Sequence, residues 1–149
     1  MAINFRNSDG INETPVSAAT PLPVTGSAGG LPPGAVALTS ASGNKANASA
    51  AATLAAATGK TTYITGFQVT ASGATAGLPV SVTVVGVLGG TLTYTFTAPA
   101  GVLVPATPLV VTFPNPVPAS DVNTAIVVTL PALGSGNTNA AVCAQGYQL

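Results

Sequence analysis

From Ala35 onward, apolar and polar residues alternate one by one in short runs, the signature of strands with one buried face. "VALTS" opens the series. In "TTYITGFQVT", Tyr63, Phe67 and Val69 share one face, and Thr62, Gln68 and Thr70 share the other. The clearest unit is "PVSVTVVGVLGGTLTYTFTAP". Gly89-Gly90 reads there as a two-residue hairpin turn, because glycine reaches positive φ without steric cost. Beyond it Leu92, Tyr94 and Phe96 face in, while Thr91, Thr93, Thr95 and Thr97 face out. Pairing around that turn sets Val87 opposite Leu92 and Val85 opposite Tyr94. Val80, Val82 and Val84 then fall out of phase, so a bulge near Val84-Val85-Gly86 is expected to bury both sets. "PLVVTF" places Leu109, Val111 and Phe113 in phase, and "NTAIVVTL" does the same for Ile126, Val128 and Leu130. "NAAVCAQGYQL" ends the chain.

"NASAAATLAAAT" is rich in alanine, a helix former, but Leu54 is its one large apolar side chain. A helix would have no stripe to bury, so an extended edge strand is the better reading. The total is about eight strands separated by Gly, Pro, Asn and Asp, with no fixed-period repeat. That pattern predicts an all-β, antiparallel fold over residues 35–149, either a sandwich or a closed barrel.

Residues 1–34 differ. They hold Pro15, Pro21, Pro23, Pro32 and Pro33, five of the 13 prolines, which fix φ and remove backbone donors. The segment reads as an extended N-terminal arm. Ile3, Phe5, Ile11, Val16, Leu22 and Val24 are spaced apolar anchors, and Arg6, with Asp9 and Glu13, could fix a register. Such an arm is expected to lie along a neighbouring subunit. The alternative is an arm folded back over its own sandwich, chiefly through residues 20–34.

Charge sharpens the picture. The chain is 47% hydrophobic but only 4% charged, where about 25% is usual. Its six charges are Arg6, Asp9, Glu13, Lys45, Lys60 and Asp121, and they sum to zero. A neutral, charge-poor surface offers little repulsion against association, which suits a member of an assembly. Three basic residues make no nucleic-acid footprint, so no nucleic-acid partner is expected. No apolar run approaches the ~18 residues of a membrane span, and "MAINFRNSDG" lacks the apolar core of a secretory signal. Cys143 stands alone, which fits a reducing cytoplasm or a protein with no need of a disulfide.

Candidate chemistry is sparse. "TGKTT" contains the end of a phosphate-binding loop, but Leu54 stands where its first glycine belongs, and a strand rather than a helix follows. It reads as a turn entering a strand. The sequence has no histidine, so it lacks the common general base and the commonest metal ligand. Its acids do not cluster for Ca²⁺ or for paired-carboxylate catalysis. Asp121 in "PASDVN" reads as a turn residue bonding its own backbone. Cys143 reads as a buried structural thiol. "GSGNTN" departs from a dinucleotide loop at Asn139 and reads as a connection between strands. The Thr row of "TLTYTFT" would need several stacked strands to bind ice, and one strand carries it. No catalytic, cofactor or metal residue is assigned, and no enzyme activity is expected.

"GKTTYITGFQVTASGATAG", "GGTLTYTFTAPAG" and "PLVVTFPNPVPASDVNTAIVVTLPALGSGNTNAAVCAQGY" resemble the small head decoration, or cement, proteins of tailed bacteriophages. The arm phrase "TPLPVTG" is similar to the starts of phage virion proteins. The resemblance implies a jelly-roll-like sandwich on the outer surface of the capsid, made in the host cytoplasm. It also implies a major capsid protein as partner, self-association as a dimer or trimer, and a shell stiffened against internal pressure. Two other readings stay open: a tail or fibre component that binds a host surface, and an adhesin-like module.

Overall fold

The computed structural model describes residues 4–6, 13–15, 30–74, 77–98, 100–101 and 105–149. The chain divides into two units, Met1–Pro33 and Gly34–Leu149. In the first, β1 (Asn4–Arg6) pairs antiparallel with β2 (Glu13–Pro15), with Phe5 opposite Thr14 and Arg6 opposite Glu13. Within this unit the two short extended strands run in opposite directions.

The second unit carries β3 (Val36–Ala41), β4 (Ala50–Leu54), β5 (Thr62–Ser72), β6 (Leu78–Val87), β7 (Gly90–Ala98), β8 (Leu109–Pro118), β9 (Ile126–Leu130) and β10 (Asn139–Gln148). They form two four-stranded antiparallel sheets, in the orders β3-β10-β5-β8 and β4-β9-β6-β7. The pairing is nested. The first strand pairs with the last, the second with the next to last, and so on inward to the β6–β7 hairpin. A chain folded in half and then rolled gives this order, which is the jelly roll. Two sheets with one apolar face each bury those faces against one another.

Between the sheets lie Leu54, Ile64, Val69, Val82, Val84, Val87, Ile126, Val128, Leu130 and Val142, all at most 1% exposed. Burying one such side chain contributes roughly 1.5–3 kcal/mol, so alternation alone gives this domain its main stabilising term. On β7 the expected faces hold: Phe96 is buried, Leu92 and Tyr94 are half-buried, and the four threonines are exposed. The alanine-rich segment forms the short edge strand β4, with Ala50, Ala52 and Leu54 inward.

Four expectations about phase are corrected. The hairpin turn is Leu88-Gly89, one residue earlier than expected, because Val87 pairs with Gly90. The ladder slips between Val84 and Val87, so Val85 and Gly86 together oppose Thr91. This bulge keeps Val82, Val84 and Val87 inside but turns Val85 out, to 37% exposure. On β5, a second irregularity between Ile64 and Gly66 reverses the faces. Thr62 and Ile64 point inward before it, Phe67 and Val69 after it, and Tyr63 lies outside. On β10 the inward residues are Ala140, Val142, Ala144 and Gln148, which leaves Cys143 exposed rather than buried.

Outside, the Tyr63 and Tyr147 rings stack, with centroids 4.8 Å apart. Burial, and secondarily the neighbouring Tyr63, push the Tyr147 phenol above its ordinary pKa. Above about pH 10 the unfolded chain therefore gives up this proton while the folded chain still holds it, so stability falls as pH rises. Urea unfolding between about pH 9 and 11 should show that fall, and Tyr147→Phe should flatten it. An equal slope in the two proteins would refute this role for Tyr147.

Candidate interaction surface

The antiparallel order sends the strands alternately to two opposite ends of the sandwich. At one end lie the start of β3, the end of β10, the β4–β5 loop, the β6–β7 turn and the β8–β9 loop. The chain enters the sandwich here at Gly34, so we term it the entry end. The far end carries the other connections.

At the entry end the sequence builds tight turns. Lys60 N–H donates to the Ala57 carbonyl at 3.1 Å, with Gly59 at φ 71° at the corner. Positive φ at the third position is the type II turn requirement that glycine meets. The Gly-Lys-Thr run is thus a turn leading into β5. Asn123, also in the left-handed region at φ 62°, sits opposite. Its Oδ1 accepts from Gly59 N–H at 2.6 Å, and its own N–H donates to the Lys60 carbonyl at 3.0 Å. Asp121 Oδ1 accepts from Val122 N–H at 2.7 Å, as expected of a turn residue. Leu88 N–H donates to Pro118 and Ser120 N–H to Gly86, which ties the hairpin to the β8–β9 loop. Thr61 and Leu149 exchange backbone bonds of 2.8 and 3.1 Å, which holds the last residue in place. Underneath, buried Gln148 donates through Nε2 to the Ala55 carbonyl at 2.6 Å and to Thr62 Oγ1 at 3.3 Å. This polar plug explains why Thr62 can face inward.

These braced loops and the strand ends beside them hold apolar side chains out to solvent. Among the described residues, the exposed large hydrophobics are Val36, Val85, Leu88, Val110, Val122 and Leu149. All but Val110 stand at the entry end. Leu88 is 62% exposed and Val122 45%. Scattered exposed apolar residues need no explanation, but their collection at one end marks a surface suited to contact. The charges there are Lys60 and Asp121, of opposite sign.

The far end has a different chemistry. Asn44, Asn47, Asn137 and Asn139 knit its loops. Asn44 Nδ2 donates to Asn139 Oδ1 at 2.8 Å, and Asn47 Oδ1 accepts from Gly136 N–H at 2.8 Å. Asn137, 1% exposed, donates to the Ser72 and Asn139 carbonyls at 2.9 and 3.0 Å. "GSGNTN" is thus a structural connection.

Of the arm residues picked from the sequence, Phe5 and Arg6 lie in β1, while Ile3, Ile11, Val16, Leu22 and Val24 lie outside the described residues. The residues of the entry end were not picked. They come from positions 36, 85, 88, 122 and 149, and only the roll brings them together. Among the described residues, no three His, Cys, Asp or Glu side chains gather to hold a metal. Cys143 opens onto a shallow depression of about 200 Å³ beside Gln68, Val110 and Gln145. None of these is the basic neighbour that activates a thiol. Compared with protein-family models, with curated proteins and with solved structures, the chain matches none of them.

Proposed function

We propose that this protein is a structural subunit of a bacteriophage head, a decoration protein that binds the major capsid protein from outside and stabilises the shell. One observation carries the reading into three dimensions: the collection of Val36, Val85, Leu88, Val122 and Leu149 at one braced end. In this reading the entry end faces the capsid. Its loops are tied to one another before contact, so little conformational entropy remains to be lost on docking. A surface with so few charges associates without strong electrostatic selection, as suits a subunit repeated over a lattice. The arm adds a second contact along the neighbouring subunit, with Ile3, Phe5, Ile11, Val16, Leu22 and Val24 as anchors and Arg6 as a register residue. The sequence resemblance to cement proteins supports the same reading. Fold alone would not, because jelly rolls serve many functions.

The test is binding to heads stripped of the protein. Leu88→Asp combined with Val122→Asp should abolish occupancy and leave the melting temperature within a few degrees, since both side chains are exposed. Deleting residues 2–19 should weaken occupancy in the same way. Full occupancy by the double variant would refute the docking face. Virions that carry only a few copies per particle would refute decoration and favour a tail component.

A further inference from the structure

Four strands form the edges of the two sheets, and three of them are protected. An exposed edge invites pairing with another chain, and proteins blunt it with prolines, bulges, short strands or cover. β8 carries Pro114, Pro116 and Pro118, and Phe113–Pro116 stand out of register between the pairs Ile64–Val117 and Gly66–Thr112. β3 and β4 are short and lie beside one another, with Thr53 N–H of β4 donating to Ser40 Oγ of β3 at 3.0 Å. β7 has none of these devices. It runs nine residues, Gly-Thr-Leu-Thr-Tyr-Thr-Phe-Thr-Ala, with no proline and no charge. Its bulge partner is β6, so β7 itself keeps an unbroken period from Leu92 to Ala98. Among the described residues, no backbone hydrogen bond reaches it from the side away from β6. A groove of about 450 Å³ lies between Thr95, Phe96 and Thr97 of this strand and Pro105, Thr107, Pro108 and Leu109.

We propose that the free edge of β7 pairs antiparallel with β7 of a second copy, giving a two-fold dimer with one sheet running through both molecules. The strand is suited to itself. Its midpoint is Tyr94, so a two-fold axis there aligns the whole length from Gly90 to Ala98. In that register Thr93 meets Thr95, Thr91 meets Thr97, Leu92 meets Phe96 and Tyr94 meets itself. Threonine faces threonine on the outside and apolar faces apolar on the inside, the cross-strand pairs that stabilise sheets. With no charge in either strand, no like-charge pair opposes the match. Pairing also covers what the single chain leaves half-exposed at this margin, Leu92 and Tyr94. A two-fold contact uses the same edge of both copies, so it closes and leaves no free β7 edge for further growth.

The dimer belongs to the free chain and is independent of the capsid reading. Sedimentation velocity of the purified full-length protein over a range of concentrations should show a dimer. Thr93→Lys with Thr95→Lys brings like charges face to face across the axis on exposed positions, and should give a folded monomer by circular dichroism and sedimentation. The register is read by cross-linking in a Cys143→Ser background. A Thr93→Cys chain mixed with a Thr95→Cys chain should form the mixed disulfide under oxidation in preference to either symmetric one. A wild-type monomer at every concentration would overturn the proposal, as would a dimer that survives the two lysines or an absence of the mixed cross-link. A wild-type monomer that pairs through β7 only with another protein would equally overturn it, in favour of a foreign strand.

Discussion

Phe96→Ala should lower the unfolding free energy by roughly 3–5 kcal/mol, through the lost burial and the cavity left behind. Phe96 is 3% exposed and lies opposite Val80 on the hairpin, inside the sandwich. For a domain of this length the loss corresponds to a fall of roughly 10 °C or more in Tm. Urea or thermal unfolding measures it. Thr95→Ala, one position away on the exposed face, should stay within about 0.5 kcal/mol. Equal effects at the two positions would show the faces of β7 to be misassigned.

Gly86→Ala should cost as much from a single added carbon, roughly 2–5 kcal/mol. Gly86 holds φ at 83°, where a side chain adds about 1–2 kcal/mol of backbone strain. Its Cβ would also run into the Ala125 carbonyl, with Ala125 carbon and Ile126 Cα close behind. Backbone cannot swing aside as a long side chain can, so an overpacking penalty of roughly 1–3 kcal/mol adds to the strain. Gly89→Ala is the comparison. It shares the positive φ, at 93°, but its Cβ would meet nothing within 4 Å, so strain alone remains. If both substitutions cost the same in equilibrium unfolding, close packing of the bulge against Ala125 contributes nothing.

The difference between these two glycines also marks how far the sequence could be read. β7, β9 and the apolar half of β6 were legible because a period of two survives along each without interruption. The bulge near Val84-Val85-Gly86 was legible too, since two apolar sets out of phase must be reconciled somewhere. What it would expose was not. The slip admitted Val87 and excluded Val85, a choice made by the pairing of Val87 with Gly90. Tyr63 failed for the same reason. Alternation carried through Thr65-Gly66 puts it inside, but the ladder breaks there and every face reverses. Thr62 could replace it inside only because Gln148 and the Ala55 carbonyl lie within hydrogen-bonding distance; Gln148 is far away in sequence, and Ala55 is reached across a turn. The small neighbours of Cys143 suggest burial, but alternation with Val142 and Ala144 turns it outward. The apolar end was illegible altogether. Its residues are single positions in separate turns and strand ends, with no local pattern to join them.

The two ends of the roll also make the molecule a directional mount. Leu149 is pinned to Thr61 at the entry end, so a passenger fused after Leu149 would emerge at that end, where under the proposed function it would compete with docking. The loop around Ser135, at the opposite pole, ends its turn at Gly134 and Gly136, both at positive φ. A peptide spliced there would point away from the entry end and be held at a fixed height by the length of the strands beneath it.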